Sequence, residues 1–202
     1  MNLQKKMFFL VLVLLKGYRN MSGLSKKEII AHFEEINSRL AMENKYGEIL
    51  IVGGAALTVV FNARNSTHDI DAIFHPTEDM RKIIKNMADD YNLNYDWLND
   101  GVKGFITNKM KSEQLFSYSN LTVSNINAEG LLAMKLTSAR SLSKDMQDSI
   151  FLMKILNIQN QDELFSIINK YTYPNQQSIA VKYFTMEAFE KYQHEIKLDS
   201  GH

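Results

Sequence analysis

A glycine pair between a short apolar strand and a short apolar helix is the feature that most constrains this fold. The composition of residues 48–52 predicts a buried strand, Gly53-Gly54 breaks it, and residues 55–63 read as a short helix. Glycine lets the backbone approach a ligand closely, and the first N–H groups of a helix can bind phosphate. A glycine pair is also typical of a plain tight turn, so both interpretations stay open at this point.

The next strand, predicted for residues 68–74, carries two aspartates. Alternate side chains of a strand point to the same side, so Asp69 and Asp71 share a face while Ile70 points into the core. Carboxylates together with substrate phosphates are the ligands that Mg²⁺ prefers. The pair therefore predicts a Mg²⁺ (or Mn²⁺) site. For an isolated Asp-x-Asp motif the alternative is a solvated strand edge with two surface acids.

Helical periodicity dominates the remainder of the chain. Ser25 and Glu28 have the spacing of a capping box, which predicts a helix start. Two further strands are predicted for residues 115–118 and 121–126. Helices follow at about 128–141, 143–156, 161–171 and 176–195. The predicted fold class is α/β (α+β), with a small mixed sheet flanked by helices and a helical C-terminal half. The predicted domains are a core at 21–127 and a helical part at 128–202, packed on that core.

Residues 1–20 contain a short apolar run with basic residues on both sides. Basic residues flank an apolar run at residues 7–15, which is too short to span a bilayer, since a span needs about 20 apolar residues. We expect Met21 to be the natural start and residues 1–20 to be an extension outside the domain. The alternatives are a membrane-tethering or secretory segment and an ordinary packed helix.

The charge balance and the lack of cysteine limit which partners and which kinds of site we expect for this chain. Lys+Arg and Asp+Glu both number 23, so no overall basic field favours nucleic acid, and an RNA partner would need a local patch. The chain has no cysteine, which excludes a disulfide framework and a thiolate zinc site. We expect a cytoplasmic protein and no membrane partner.

Two segments together, residues 51–57 and 64–74, resemble the DNA polymerase β-like nucleotidyltransferase superfamily. Within it, the chain is similar to the small bacterial nucleotidyltransferases of abortive infection and type IV toxin–antitoxin systems. The resemblance covers most of residues 48–150 and includes the segments 97–100 and 132–140.

The resemblance implies specific roles for the residues that match its motifs. Gly53 and Gly54 would hold the triphosphate, Asp69 and Asp71 the metal ions, and Lys135 would contact nucleotide phosphates. The catalytic set is then Asp69, Asp71 and Lys135. The remaining candidates for nucleotide binding flank the strand predicted at 68–74 or match a downstream charged motif: Arg64, Thr67, Arg140, Asp145 and Asp148. For Arg64 a structural ion pair is an equal alternative, and for Lys135 the alternative is a lysine that extends from a core helix to solvent.

The expected activity is transfer of a nucleoside monophosphate from a nucleoside triphosphate to a hydroxyl of tRNA, another RNA or a protein, with a cognate antitoxin as a further expected partner. The alternative is a catalytically degenerate module that binds nucleotide or a partner protein. Many enzymes of the superfamily carry a third carboxylate on a later strand, whereas residues 115–126 contain no Asp or Glu. Glu113 is the nearest substitute, so the general base is unassigned. Trp97 is expected either to stack on a base or to anchor packing.

Overall fold

The computed structural model describes residues 23–138 and 143–200. The predicted extension at 1–20, the predicted start at Met21 and the candidate Arg140 lie outside the described residues. In chain order the elements are β1 (Leu24–Ser25), α1 (Lys26–Met42), β2 (Gly47–Ile51), α2 (Gly53–Val59), β3 (Ser66–Thr67), β4 (Ile70–His75), α3 (Thr77–Tyr91), β5 (Leu98–Asn99), β6 (Ser112–Ser117), β7 (Leu121–Ile126), α4 (Ala128–Ser138), α5 (Ser143–Leu156), α6 (Gln161–Tyr171) and α7 (Ile179–Ser200). Two short 3₁₀ turns lie at Lys103–Phe105 and Pro174–Gln176.

The predicted capping box starts helix α1. The Glu28 backbone N–H donates to the Ser25 hydroxyl at 3.4 Å, and the Ser25 backbone N–H donates to the Glu28 carboxylate at 2.9 Å. These bonds satisfy donors that a helix start leaves without intrahelical partners. One apolar face of α1 is then fully buried: Ile29, Phe33, Ile36 and Leu40.

Five strands form one mixed sheet in the order β5-β4-β2-β7-β6. Strand β4 runs antiparallel to β2, with Ile51 opposite Ala72, and parallel to β5, with Asp71 opposite Asn99. Strands β1 and β3 form a separate antiparallel pair, with Leu24 opposite Thr67. The mixed sheet flanked by helices confirms the predicted fold class.

The structure corrects several predicted boundaries. The strand predicted at 68–74 begins at Ile70, and residues 66–67 form the separate strand β3. Because β3 pairs with β1, the chain bends at His68 and Asp69 before it enters the five-stranded sheet. Helix α2 begins at Gly53 rather than residue 55 and ends at Val59, ahead of the left-handed residue Asn62. The last helix starts at Ile179 rather than residue 176, because Pro174–Gln176 forms a 3₁₀ turn.

The chain divides into two compact units. The described part of the first comprises residues 23–101 and 114–124; that of the second comprises 102–113, 125–138 and 143–200. Within the second unit, α4 packs on α5 and α6, and α7 packs on α5, which confirms the helical C-terminal half. The domain boundary predicted at 127/128 stays a prediction. No helix in the described ranges has both the length and the hydropathy that a membrane span requires.

Candidate functional site

The turn between β2 and α2 lies directly against the side chain of Asp71. Strands β2 and β4 are neighbours, and the Val52 backbone N–H donates to the Asp71 carbonyl at 3.0 Å. Gly53 has a φ of 57°, a conformation that glycine adopts at little cost and most other residues adopt rarely. A Cβ at this position would lie 3.2 Å from Oδ2 of Asp71. The glycine thus supplies both the backbone conformation and the space beside the carboxylate.

The second glycine contacts two of the other predicted residues. A Cβ on Gly54 would lie 2.5 Å from Oγ1 of Thr67 and 3.2 Å from Nη1 of Arg64. Thr67 is buried in β3, and Arg64 lies in the loop just before that strand. The structure therefore brings together five residues singled out from sequence: Gly53, Gly54, Arg64, Thr67 and Asp71. That these residues bind a nucleotide stays a prediction.

Asp69 lies in an electrostatically unfavourable position for a carboxylate. Burial raises the pKa of Asp69, and the negative charges of Asp71 and Asp96 raise this pKa further. Ile70, between the two aspartates, is fully buried, as the alternation of side chains predicted. A cation between the carboxylates would relieve the repulsion that raises the pKa.

Asp96 is an exposed acidic residue whose negative charge acts on Asp69, and sequence reasoning missed it. It precedes Trp97, which is 2% exposed and whose indole N–H donates to the Ile84 carbonyl at 3.2 Å. The Trp97 carbonyl accepts the backbone N–H of Ile70 at 2.8 Å, so the loop is fixed beside the start of β4. The burial of Trp97 favours the packing anchor over a base-stacking role. Glu113, the substitute considered from sequence, is exposed on β6 in the second unit.

The donor set around Asp71 fits a hard divalent cation that is completed by substrate. Within residues 23–138 and 143–200, no group of three or more His, Asp or Glu side chains is arranged to hold a metal ion by itself. Mg²⁺ is often bound by one or two carboxylates, with waters and substrate phosphates filling the other positions. Asp69 and Asp71 can supply those carboxylates, because Asp71 lies against the glycine turn and Asp69 is two residues before it in the chain.

Lys135 forms a compact ion cluster in the second unit. Its ammonium lies 2.7 Å from a carboxylate oxygen of Asp145 and 2.9 Å from one of Asp148. The Lys135 side chain is 14% exposed and that of Asp148 is 6% exposed. The Ser138 hydroxyl also lies 3.2 Å from Asp145. Asp145 and Asp148 share one helix face, as their spacing predicted, and the three side chains together carry one excess negative charge.

Replacing Gly54 by alanine is expected to destabilise the protein and to displace Thr67. The new methyl group would meet Oγ1 of Thr67 at 2.5 Å, and overpacking of this kind costs about 1–3 kcal/mol. Alanine recovers up to about 1 kcal/mol of helix propensity, so a net loss remains. Urea unfolding measures the change. The matched control is Gly104→Ala, whose added Cβ meets no atom within 4 Å. Equal stabilities for the two variants would contradict the close packing at Gly54.

Replacing Asp69 by asparagine is expected to raise the melting temperature at neutral pH in the presence of EDTA. Because the pKa of Asp69 is raised in the folded state, its ionised form destabilises the fold. The wild-type protein therefore loses stability as pH rises from the unfolded pKa through the folded pKa. The advantage of the variant should be complete above the folded pKa and absent below the unfolded value, where both side chains are neutral. Thermal melts across this pH range test the prediction, and a lower melting temperature for the variant at neutral pH would refute it.

A known family model matches most of the chain. A family model described as a nucleotidyltransferase of unknown function (DUF6036) matches residues 27–197. The matched range contains the glycine turn, both aspartates of the pair and the Lys135 cluster. Neither the curated proteins nor the solved structures gave a match.

Proposed function

The chain belongs to the family of nucleotidyltransferases of unknown function (DUF6036), and we propose that it transfers a nucleoside monophosphate from a nucleoside triphosphate to a hydroxyl group. The observation that carries the proposal is the contact between the glycine turn and Asp71 on strand β4. Gly53 adopts a left-handed conformation, and a Cβ at its position would lie 3.2 Å from the Asp71 carboxylate. A phosphate chain seated at this turn would lie beside the side chain that binds its cation.

Each group of residues has a distinct role in the proposed transfer reaction. The acceptor oxygen attacks the α-phosphorus, a new P–O bond forms, the α–β anhydride bond breaks, and pyrophosphate leaves with the bonding electrons. Gly53 and Gly54 hold the phosphates by their backbone, and Arg64 and Thr67 border them. Mg²⁺ or Mn²⁺ held by Asp69 and Asp71 would supply charge neutralisation and activation of the attacking hydroxyl. Positioning and charge stabilisation supply most of the rate in reactions of this type.

Asp96 is the candidate for accepting the proton of the acceptor hydroxyl. Its charge acts on Asp69, and the anchored backbone of Trp97 holds its loop in place. In this role Asp96 takes the place of the third carboxylate that the strands at residues 115–126 lack. Lys135 is proposed to contact nucleotide phosphates, as the resemblance implies, and Asp145 and Asp148 belong to the downstream charged motif of nucleotide-binding candidates.

The acceptor and the biological setting follow from the resemblance alone. We infer an RNA such as tRNA, or a protein side chain, as the acceptor, and a cognate antitoxin that restrains the activity. A toxin of the abortive-infection or type IV toxin–antitoxin type is the corresponding proposal for the role in the cell.

A transfer assay tests the proposal directly. Each of the four triphosphates, labelled at the α-phosphate, is incubated with the full-length protein, Mg²⁺ or Mn²⁺, and bacterial RNA or protein extract. We expect label on a macromolecule from at least one donor, no label after chelation with EDTA, and a strong reduction in Asp96→Asn. No label from any donor, with a folded protein and either metal, would refute the proposed activity.

A second candidate function is a degenerate module that binds nucleotide or a partner protein without chemistry. Two observations favour it. No group of three His, Asp or Glu side chains among the described residues is placed to hold a metal ion by itself, and the Lys135 ammonium is already paired with Asp145 and Asp148. Triphosphate binding without transfer of label in the same assay would select this candidate.

A further inference from the structure

Lys26, which no sequence motif marks, is placed beside the glycine turn by the pairing of β1 with β3. The ladder sets Leu24 opposite Thr67 and Ser25 opposite Ser66. The backbones are in close contact, since a Cβ on Gly23 would lie 2.4 Å from the Thr67 carbonyl oxygen. Thr67 in turn contacts Gly54. Helix α1 therefore starts, with Lys26 as its first residue, next to the strand that borders the glycine turn.

The loop after α2 fixes the position of the Lys26 ammonium. Its Nζ donates to Oδ1 of Asn62 at 3.0 Å. Asn62 has a left-handed backbone with φ of 51° and lies two residues before Arg64. The Arg64 guanidinium reaches to within 3.2 Å of the position of a Cβ on Gly54. Two cationic side chains, Lys26 and Arg64, thus belong to the segments that border the turn.

The side chain that accepts the hydrogen bond of Lys26 is a neutral amide rather than a carboxylate. Asn62 is neutral, so it orients the ammonium and leaves its charge uncompensated. Several other basic side chains of the described residues form ion pairs with carboxylates, including Arg39, Lys45, Arg81, Lys135, Lys154, Lys170 and Lys191. A cation in the first turn of a helix is also disfavoured by the helix dipole. The helix dipole therefore gives no reason for a lysine at this position.

We propose that Lys26, oriented by Asn62, binds the terminal phosphates of the triphosphate and the pyrophosphate that leaves. This inference rests on the proposed function, because it places the phosphate chain at Gly53 and Gly54. The ligand class is an oligophosphate anion, recognised by charge and without regard to the base. Lys26 lies one residue before the family match at 27–197, so the match itself does not assign it a role.

Inorganic tripolyphosphate is the probe that isolates this contact. Isothermal titration calorimetry with Mg²⁺ compares the full-length wild type with Lys26→Ala, Lys26→Arg and Lys27→Ala. We expect Lys26→Ala to weaken binding about tenfold, the loss of one charge-assisted hydrogen bond. Lys26→Arg should retain most of the affinity. The control Lys27→Ala removes the exposed next residue of α1 and should bind within about twofold of wild type.

A second variant neutralises the Lys26 charge with a carboxylate and keeps the lysine itself. Asn62→Asp tolerates the left-handed backbone but gives Lys26 a carboxylate partner, so binding should weaken several-fold. Wild-type affinity in both Lys26→Ala and Asn62→Asp would overturn the inference, as would a wild type that binds no tripolyphosphate. The transfer assay decides the proposed function separately: label transfer with normal tripolyphosphate binding in Lys26→Ala would refute the lysine contact alone.

Discussion

Replacing Asp71 by asparagine should lower nucleoside monophosphate transfer about 10³-fold, the largest effect on activity that we expect. A bound cation stabilises the transition state by several kcal/mol, and each 1.36 kcal/mol is a factor of about ten in rate. The asparagine would keep the size of the side chain next to Gly53 but lose its charge. Initial rates of label transfer at saturating Mg²⁺ measure the change.

The matched control for Asp71→Asn is Asp89→Asn, an exposed carboxylate on α3 in the same unit. It should transfer label at the wild-type rate. A folded Asp71→Asn variant with more than about a tenth of the wild-type rate would show that the cation is not held as proposed. Asp71→Glu separates charge from position, because it restores the carboxylate one methylene further from the backbone.

Replacing Lys135 by alanine should lower the free energy of unfolding by about 3–5 kcal/mol, the largest effect on stability that we expect. The substitution removes the ammonium that lies within 2.9 Å of both the Asp145 and the Asp148 carboxylates, and both acids are largely buried. Removing one partner of a buried ion pair typically has a cost of this size. Urea unfolding followed by circular dichroism measures it.

Two further variants show whether the effect comes from the uncompensated charge. Adding Asp148→Asn to Lys135→Ala should recover part of the loss. The control Lys191→Ala breaks the exposed Lys191–Glu187 pair, where both side chains are more than half exposed, and should cost at most about 0.5 kcal/mol. If Lys135→Ala kept its stability but lost triphosphate binding, the lysine would act on the ligand and the ion cluster would contribute little to the fold.

The parts of the site that follow from local patterns could be predicted from the sequence. The composition of the strand before Gly53 and the alternation of Asp69, Ile70 and Asp71 are readable within a few residues. The helical spacing of Asp145 and Asp148 is equally local. These features need no knowledge of which strand pairs with which. The structure agrees on the strand before Gly53 and on the helix that carries Asp145 and Asp148, whereas Asp69 lies in a bend just before β4.

The missed residues depend on pairing between distant segments. Asp96 matters because the two-residue strand β5 runs parallel to β4, and a strand so short leaves no alternating pattern to recognise. The helix start that carries Lys26 lies beside β3 because of the equally short β1–β3 pair. The predicted start of β4 at residue 68 is wrong for a related reason: residues 66–67 pair with the distant β1, and the chain bends at His68 and Asp69 before β4 begins.

Trp97 gives this molecule a built-in optical reporter. It is the only tryptophan among 202 residues, so indole emission comes from one known position. That position is buried, hydrogen-bonded to Ile84, and joined through its carbonyl to Ile70 between the two aspartates. Rapid-mixing fluorescence with unmodified protein can therefore follow events at the start of β4 on the millisecond scale, with neither a dye nor an engineered probe.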